Sequence, residues 1–289
     1  MISHKNFNIV LLQDKNAVIY GAGGSLGSTV AKALARAGAR VFLTGHNIAS
    51  VQKVSHEIQA AGGIPEADQV DALDQKAIDS HLEKIVRLSG KIDISFNAVG
   101  EDLVQGIPLI DMKEDDFITP ITFTMRTRFL TATAAGKIMA KQGSGVILSL
   151  TATPGGIGYP YTGGFSAACA AVETFSKNLA AELGVYGVRV VNMRSGGSPD
   201  SRVFKEAIDS RPEIMKSVLQ KMEEDTMLKK LPLMEDIANL AVFLSSDLAS
   251  KITGVTVDIT AGTTAGLNYR AAVNERNWAP AFLSQAENS

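Results

Sequence analysis

From about residue 16 to residue 262, short apolar runs alternate with longer segments of helical periodicity. Residues 16–20 (NAVIY), 40–44 (RVFLT), 64–70, 92–96, 146–150, 188–192 and 255–259 read as strands, the third broken by polar residues. Between them, residues 25–37, 48–61, 74–88, 117–141, 164–183 and 234–244 read as helices. Gly38 stops the first of these and Gly62 with Gly63 the second. Pro120 fits the long fourth helix only near its start. Strands joined through helices imply right-handed crossovers and parallel pairing. Runs that are apolar throughout, rather than alternating, fit a sheet covered on both faces. The pattern predicts an α/β protein with a doubly wound parallel sheet in three α/β/α layers.

No linker-like break interrupts this pattern, which predicts a single domain over residues 12–265, with an extension at 1–11 and a polar tail at 266–289. The tail carries Trp278 and Phe282, expected to dock on a surface. Residues 198–227 are polar, contain Pro199 and Pro212, and read as a mobile segment with one or two short helices. A formal net charge of −2 with mixed signs gives no general attraction to nucleic acid or anionic membranes. No apolar run approaches membrane-spanning length. One cysteine, Cys169, precludes an intrachain disulfide and suits a cytoplasmic setting.

Gly21-Ala22-Gly23-Gly24-Ser25-Leu26-Gly27 lies between a predicted strand and a predicted helix. Glycines let the backbone approach a pyrophosphate, and the helix start offers free N–H groups to it. A ribose-binding acid is common after the second strand of NAD-binding folds. Here that stretch is Thr44-Gly45-His46-Asn47, so His46 or Asn47 could donate to a 2′-phosphate and NADP is favoured slightly over NAD.

These residues resemble the short-chain dehydrogenase/reductase (SDR) family, over roughly residues 12–265. Its T-G-x-x-x-G-x-G appears as Tyr20 to Gly27, with Ser25 at the middle glycine. Its N-N-A-G appears as Asn97-Ala98-Val99-Gly100, and its adenine-side acid matches Asp71, followed by Ala72. Its P-G after the sixth strand appears as Gly196-Gly197, and Ser201 falls where a carboxamide-contacting threonine often stands. Asp236-Ile237-Ala238 through Ile252-Thr253-Gly254 is similar to the family's end. The resemblance implies a Rossmann fold, NAD(P) and a dimer or tetramer paired through the two long helices, whose small residues (Ala132, Ala134, Ala135, Ala167, Ala168, Ala171) permit close approach.

It also implies hydride transfer assisted by a tyrosine, a lysine four residues on, a serine 13 residues before the tyrosine, and an asparagine. The flanking match Ala170 through Ala180 places these at Phe165, Cys169, Ala152 and Thr124. All four are replaced, and neither phenylalanine nor alanine has a proton to give. Tyr159, Tyr161, Thr151 or Thr153 could supply a hydroxyl, but no lysine follows either tyrosine at the family's spacing. Lys177, two helical turns past Cys169, is too far along. Arg128 could turn a cation towards the vacated place, although solvent or a subunit contact is the simpler expectation for Arg126 and Arg128. Cys169 reads as a small buried hydrophobe. His56 and His81 read as residues of solvated helix faces, and with His4 and His46 they show no metal-ligand spacing. Two functions remain open: an NAD(P)(H)-dependent oxidoreductase with a relocated proton donor, and a non-catalytic nucleotide-binding protein. The substrate is expected among residues 101–116, 153–164 and 198–227.

Overall fold

Seven parallel strands are laid out in the order β3-β2-β1-β4-β5-β6-β7 in a computed structural model that describes residues 10–100 and 103–265. The strands are β1 (Asn16–Tyr20), β2 (Arg40–Gly45), β3 (Ile64–Gln69), β4 (Ile94–Asn97), β5 (Gly145–Ala152), β6 (Val188–Ser195) and β7 (Thr256–Ile259). The helices are α1 (Ser25–Arg36), α2 (Ile48–Ala60), α3 (Gln75–Ser89), α4 (Glu114–Gln142), α5 (Gly164–Leu183), α6 (Arg202–Ser210), α7 (Pro212–Glu224) and α8 (Met234–Ser245). Alternate β1 side chains enter opposite cores. Ala17 and Ile19 pack with Val30 and Leu34 of α1, whereas Val18 and Tyr20 pack with Ile78 and Leu82 of α3 and Ala135 of α4. Each central strand is therefore apolar on both faces, which is why it reads as a run. The edge strand β3 (IPEADQ) is only partly buried and tolerates Pro65 because one side pairs with nothing.

Several predicted boundaries move. β5 and β6 run to Ala152 and Ser195, because polar Thr151 and Arg194 find buried partners there. α4 begins at Glu114 rather than residue 117, so Pro120 sits inside the helix, and its ring meets the start of α5. A Cβ on Gly164 would strike the Phe117 carbonyl, so glycine lets α5 start against α4. The segment after β6 holds two helices, α6 and α7.

One expectation about a helix face is corrected. His81 does not face solvent: it is 5% exposed and packed beneath β3, its Nε2 lying 3.4 Å from Asp68 while neither ring nitrogen makes a hydrogen bond. Its place on the buried face follows from Ile78, Leu82 and Ile85 around it. Ala132, Ala134, Ala135 and Ala168 are buried within the subunit, whereas Ala167 and Ala171 are only partly buried. Residues 1–9 with His4, Glu101 and Asp102, and the tail with Trp278 and Phe282 lie outside the described residues.

Candidate active site

The strand order reverses between β1 and β4, and the loops leaving their C-terminal ends meet in the resulting crevice. Gly21 follows β1 with φ +75°, and a Cβ there would lie 2.9 Å from the backbone of Ala98 and Val99. Only a residue without a side chain allows these two loops to touch. A Cβ on Gly27 would fall on the Gly21 carbonyl, and one on Gly23 on Ser50. Gly24 caps α1 with no side-chain hydrogen bond, so the first-turn amides of Ser25, Leu26 and Gly27 are left for another acceptor. The turn thus fits a diphosphate: its glycines clear a cradle that side chains would fill, with a helix dipole behind it.

The other residues singled out in the sequence flank this turn. His46 and Asn47 are exposed after β2, and the Asn47 amide oxygen accepts from the Ala49 and Ser50 amides to cap α2. Among residues 44–50 there is no acid. Asp71 is exposed and accepts from the Leu73 amide at 2.9 Å, beside buried Ala72. Asn97 is buried and committed to the protein. Its amide oxygen accepts from Val99 N, while its NH2 donates to Thr127 O and Thr131 Oγ1. Asn97 therefore shapes the Val99–Gly100 corner and ties it to α4. Ser25 Oγ accepts from Arg202 N at 3.3 Å, which docks the start of α6 on the glycine turn.

A pocket of about 550 Å3 opens beside the turn, walled by Leu26, Ala152, Phe165, Phe204 and Met222 and by the backbone around Gly197 and Ser201. Its walls are mostly apolar, and Ala152 and Phe165 stand in it where the resemblance places the serine and the tyrosine. Tyr159 also lines it; Tyr161 is not among its walls and is 57% exposed. Burial, then the nearby Asp225 carboxylate, push the Tyr159 phenol up from its ordinary range. Cys169 lies buried behind the wall, its thiol pushed up to about 11, chiefly by burial. It is a neutral thiol at physiological pH, as the sequence suggested. Lys177 is exposed, and Thr124 is half-buried in α4. Thr151 and Thr153 are buried, donating to Glu173 and to Ser195 O respectively, and Thr153 lines the pocket. Arg126 is exposed but Arg128 is buried, against the simpler expectation, because its guanidinium reaches in to the Val99 carbonyl.

Two features escaped sequence reasoning. Ser198 lines the pocket with a buried hydroxyl that has no partner. Partly buried Arg194 of β6 and buried Glu173 of α5 form an ion pair, extended by Asp258 of β7 at 2.9 Å. Cβ atoms on Gly155 and Gly156 would strike Glu173 and Arg194, so this pair floors the turn after Ala152. Their signal was present as charges inside an apolar strand and an alanine-rich helix.

A doubly wound sheet with a glycine cradle at its switch point and an apolar pocket beside it defines the class of dinucleotide-binding oxidoreductases. Residues 21–264 match the family model described as enoyl-(acyl carrier protein) reductase. The chain is 31% identical to an uncharacterized oxidoreductase of Mycobacterium tuberculosis, over 88% of this chain and 93% of that one. It is 28% identical to the 7alpha-hydroxysteroid dehydrogenase of Escherichia coli K12, over 91% and 99% respectively. A crystal structure of NAD+-bound xylitol dehydrogenase shares the fold with a TM-score of 0.81 at 24% identity, covering 87% of this chain and 99% of that one. The chain belongs to the short-chain dehydrogenase/reductase family, an NAD(P)-binding family of oxidoreductases. Among the described residues no helix is long and apolar enough to cross a membrane.

Proposed function

We propose that the protein is an NAD(P)(H)-dependent reductase of an apolar substrate, with Tyr159 as its proton donor. The observation that carries this is the placement of Tyr159 in the wall of an apolar pocket that also includes Leu26 of the glycine turn. The dinucleotide supplies the hydride chemistry when bound. The rest falls to the chain. The amides at 25–27 receive the diphosphate, and Phe165, Phe204 and Met222 exclude water from the substrate. The Tyr159 hydroxyl holds the proton delivered to the reduced product. Burial keeps the proton on that phenol for delivery, but by raising its pKa it also makes the phenol a weaker acid than one beside an ammonium. The acid-free stretch at 44–50, with the Asn47 NH2 and His46 facing solvent, supports NADP over NAD. The exposed Phe129 of α4, stacked only at a tilt on Phe175, supports pairing of two subunits through α4 and α5. A monomer by size in solution would refute that pairing.

A second reading is nucleotide binding without turnover. It is favoured by the pairing of Lys221, a cation that acts on Tyr159, with Asp225. Fluorescence titration with NADPH and NADH, followed by a panel of lipophilic ketones and activated alkenes, separates the two. Turnover that falls about 10²–10⁴-fold in Tyr159→Phe supports the donor role. Turnover unchanged in that variant refutes it. Tight binding with no turnover selects the second reading, and absence of binding defeats both.

A further inference from the structure

Helices α6 and α7 have no buried residue. Yet Phe204 and Ala207 of α6 and Met215, Val218 and Met222 of α7 all line the pocket beside the glycine turn. The α7 residues fall at positions i, i+3 and i+7, which is one face of a helix. A helix in a closed core covers such a face with protein. Here it is left for whatever enters the pocket. Two of the three are methionines, unbranched and polarisable, which shape themselves to irregular apolar bodies.

Charge narrows the ligand further. Among the described residues no lysine, arginine or histidine lines the pocket, and Asp225 is the one charged side chain that does. Asp225 stands at the C-terminal cap of α7, where the helix dipole also presents its negative end. Lys221, one turn earlier, pairs with that carboxylate but is not among the pocket walls. An anion laid against α7 would therefore meet a carboxylate, a helix C-terminus and apolar side chains. It would lose its water without gaining a cation. We propose that the pocket takes an uncharged lipophilic molecule laid between α6 and α7, and that Asp225 is the residue that turns away molecules of the same shape carrying an anionic group. This names the substrate class of the reductase proposed above, and rests on that reading only in calling the ligand a substrate.

Equilibrium binding tests this without turnover. N-phenylnaphthylamine, an uncharged dye that fluoresces in apolar sites, reports occupancy of the pocket in the full chain. Ala207→Trp, which fills the space between α6 and α7, should weaken dye binding at least about tenfold. The dye is then displaced with decanol and with decanoate, which share one chain and differ in charge. In the wild type decanol should displace it about thirtyfold more tightly than decanoate. Asp225→Asn removes the carboxylate and frees the Lys221 ammonium, so decanoate should gain about tenfold while decanol is unchanged. Equal displacement by the two in the wild type overturns the proposal. So does a preference unchanged in Asp225→Asn, or dye binding indifferent to Ala207→Trp. Turnover tells this proposal from the reductase reading. The decanol preference without turnover of any ketone defeats that reading and leaves this one standing, whereas turnover that favours a carboxylate-bearing ketone over its uncharged analogue defeats this one alone.

Discussion

Replacing Gly21 by alanine should damage both stability and dinucleotide binding, by an amount that can be worked from the turn. At φ +75° an alanine sits in the left-handed region, which costs about 1–2 kcal/mol. Its Cβ would lie 2.9 Å from the Ala98 carbonyl carbon and the Val99 nitrogen. Both are backbone atoms that cannot swing aside, so the two loops must separate, at about 1–3 kcal/mol by analogy with overpacked cores. The total is about 2–5 kcal/mol. Gly24, three residues on, is the internal control. Its φ is −80° and its nearest neighbour would be 3.4 Å from an added Cβ, so alanine there should cost at most about 1 kcal/mol. Urea unfolding at constant m-value compares the two variants, with NADPH titration alongside. Gly21→Ala should lose the larger stability and bind the dinucleotide more weakly, because separating the loops shifts the Val99–Gly100 corner away from the crevice. A Gly21→Ala protein no less stable than Gly24→Ala would show that the crevice is not built on this contact.

Glu173→Ala leaves the partly buried Arg194 with only the exposed Asp258, and should destabilise by about 1–3 kcal/mol; a double-mutant cycle with Arg194→Met checks that the loss belongs to the pair. Burial holds the His81 imidazole below its ordinary value, so the unfolded chain takes up the proton first. Stability from this group is present above about pH 6.5 and is lost as the pH falls through the lower folded value. Unfolding midpoints measured from pH 7.5 to 5 should therefore decline in the wild type and decline less in His81→Leu. With its thiol near 11 and 3% exposed, Cys169 should react with a thiol-specific reagent at pH 8 far more slowly in the folded protein than in urea. Equal rates would place it at the surface.

The strands and helices were legible because burial on both sheet faces writes itself as apolar runs of four to eight residues, and each helix carries its own periodicity. The legibility faded at the edges. β3 pairs on one side only and need not be apolar, so its polar residues obscured it. His81 was misread because a histidine on a helix looks like a solvated polar residue until the packing of α3 against the sheet is known. Pro120 argued for a late helix start, yet the helix begins at Glu114, three residues before the expected start, and fits the ring against α5.

By itself, the sequence determined the alternation of elements and the glycine turn between the first strand and helix; through the family resemblance it also led to the expectation that Phe165, Cys169 and Ala152 stand where a phenol, an ammonium and a hydroxyl are usual. These are local properties, carried by residue type and spacing. Only the tertiary structure decided that Tyr159 and not Tyr161 reaches the pocket, that Arg128 turns inward to the Val99 carbonyl, and that Glu173 and Arg194 meet beneath the turn after β5. Each of these joins residues from different elements. Their meeting depends on how the helices pack across the sheet, a sum over many weak contacts that no short stretch of chain records.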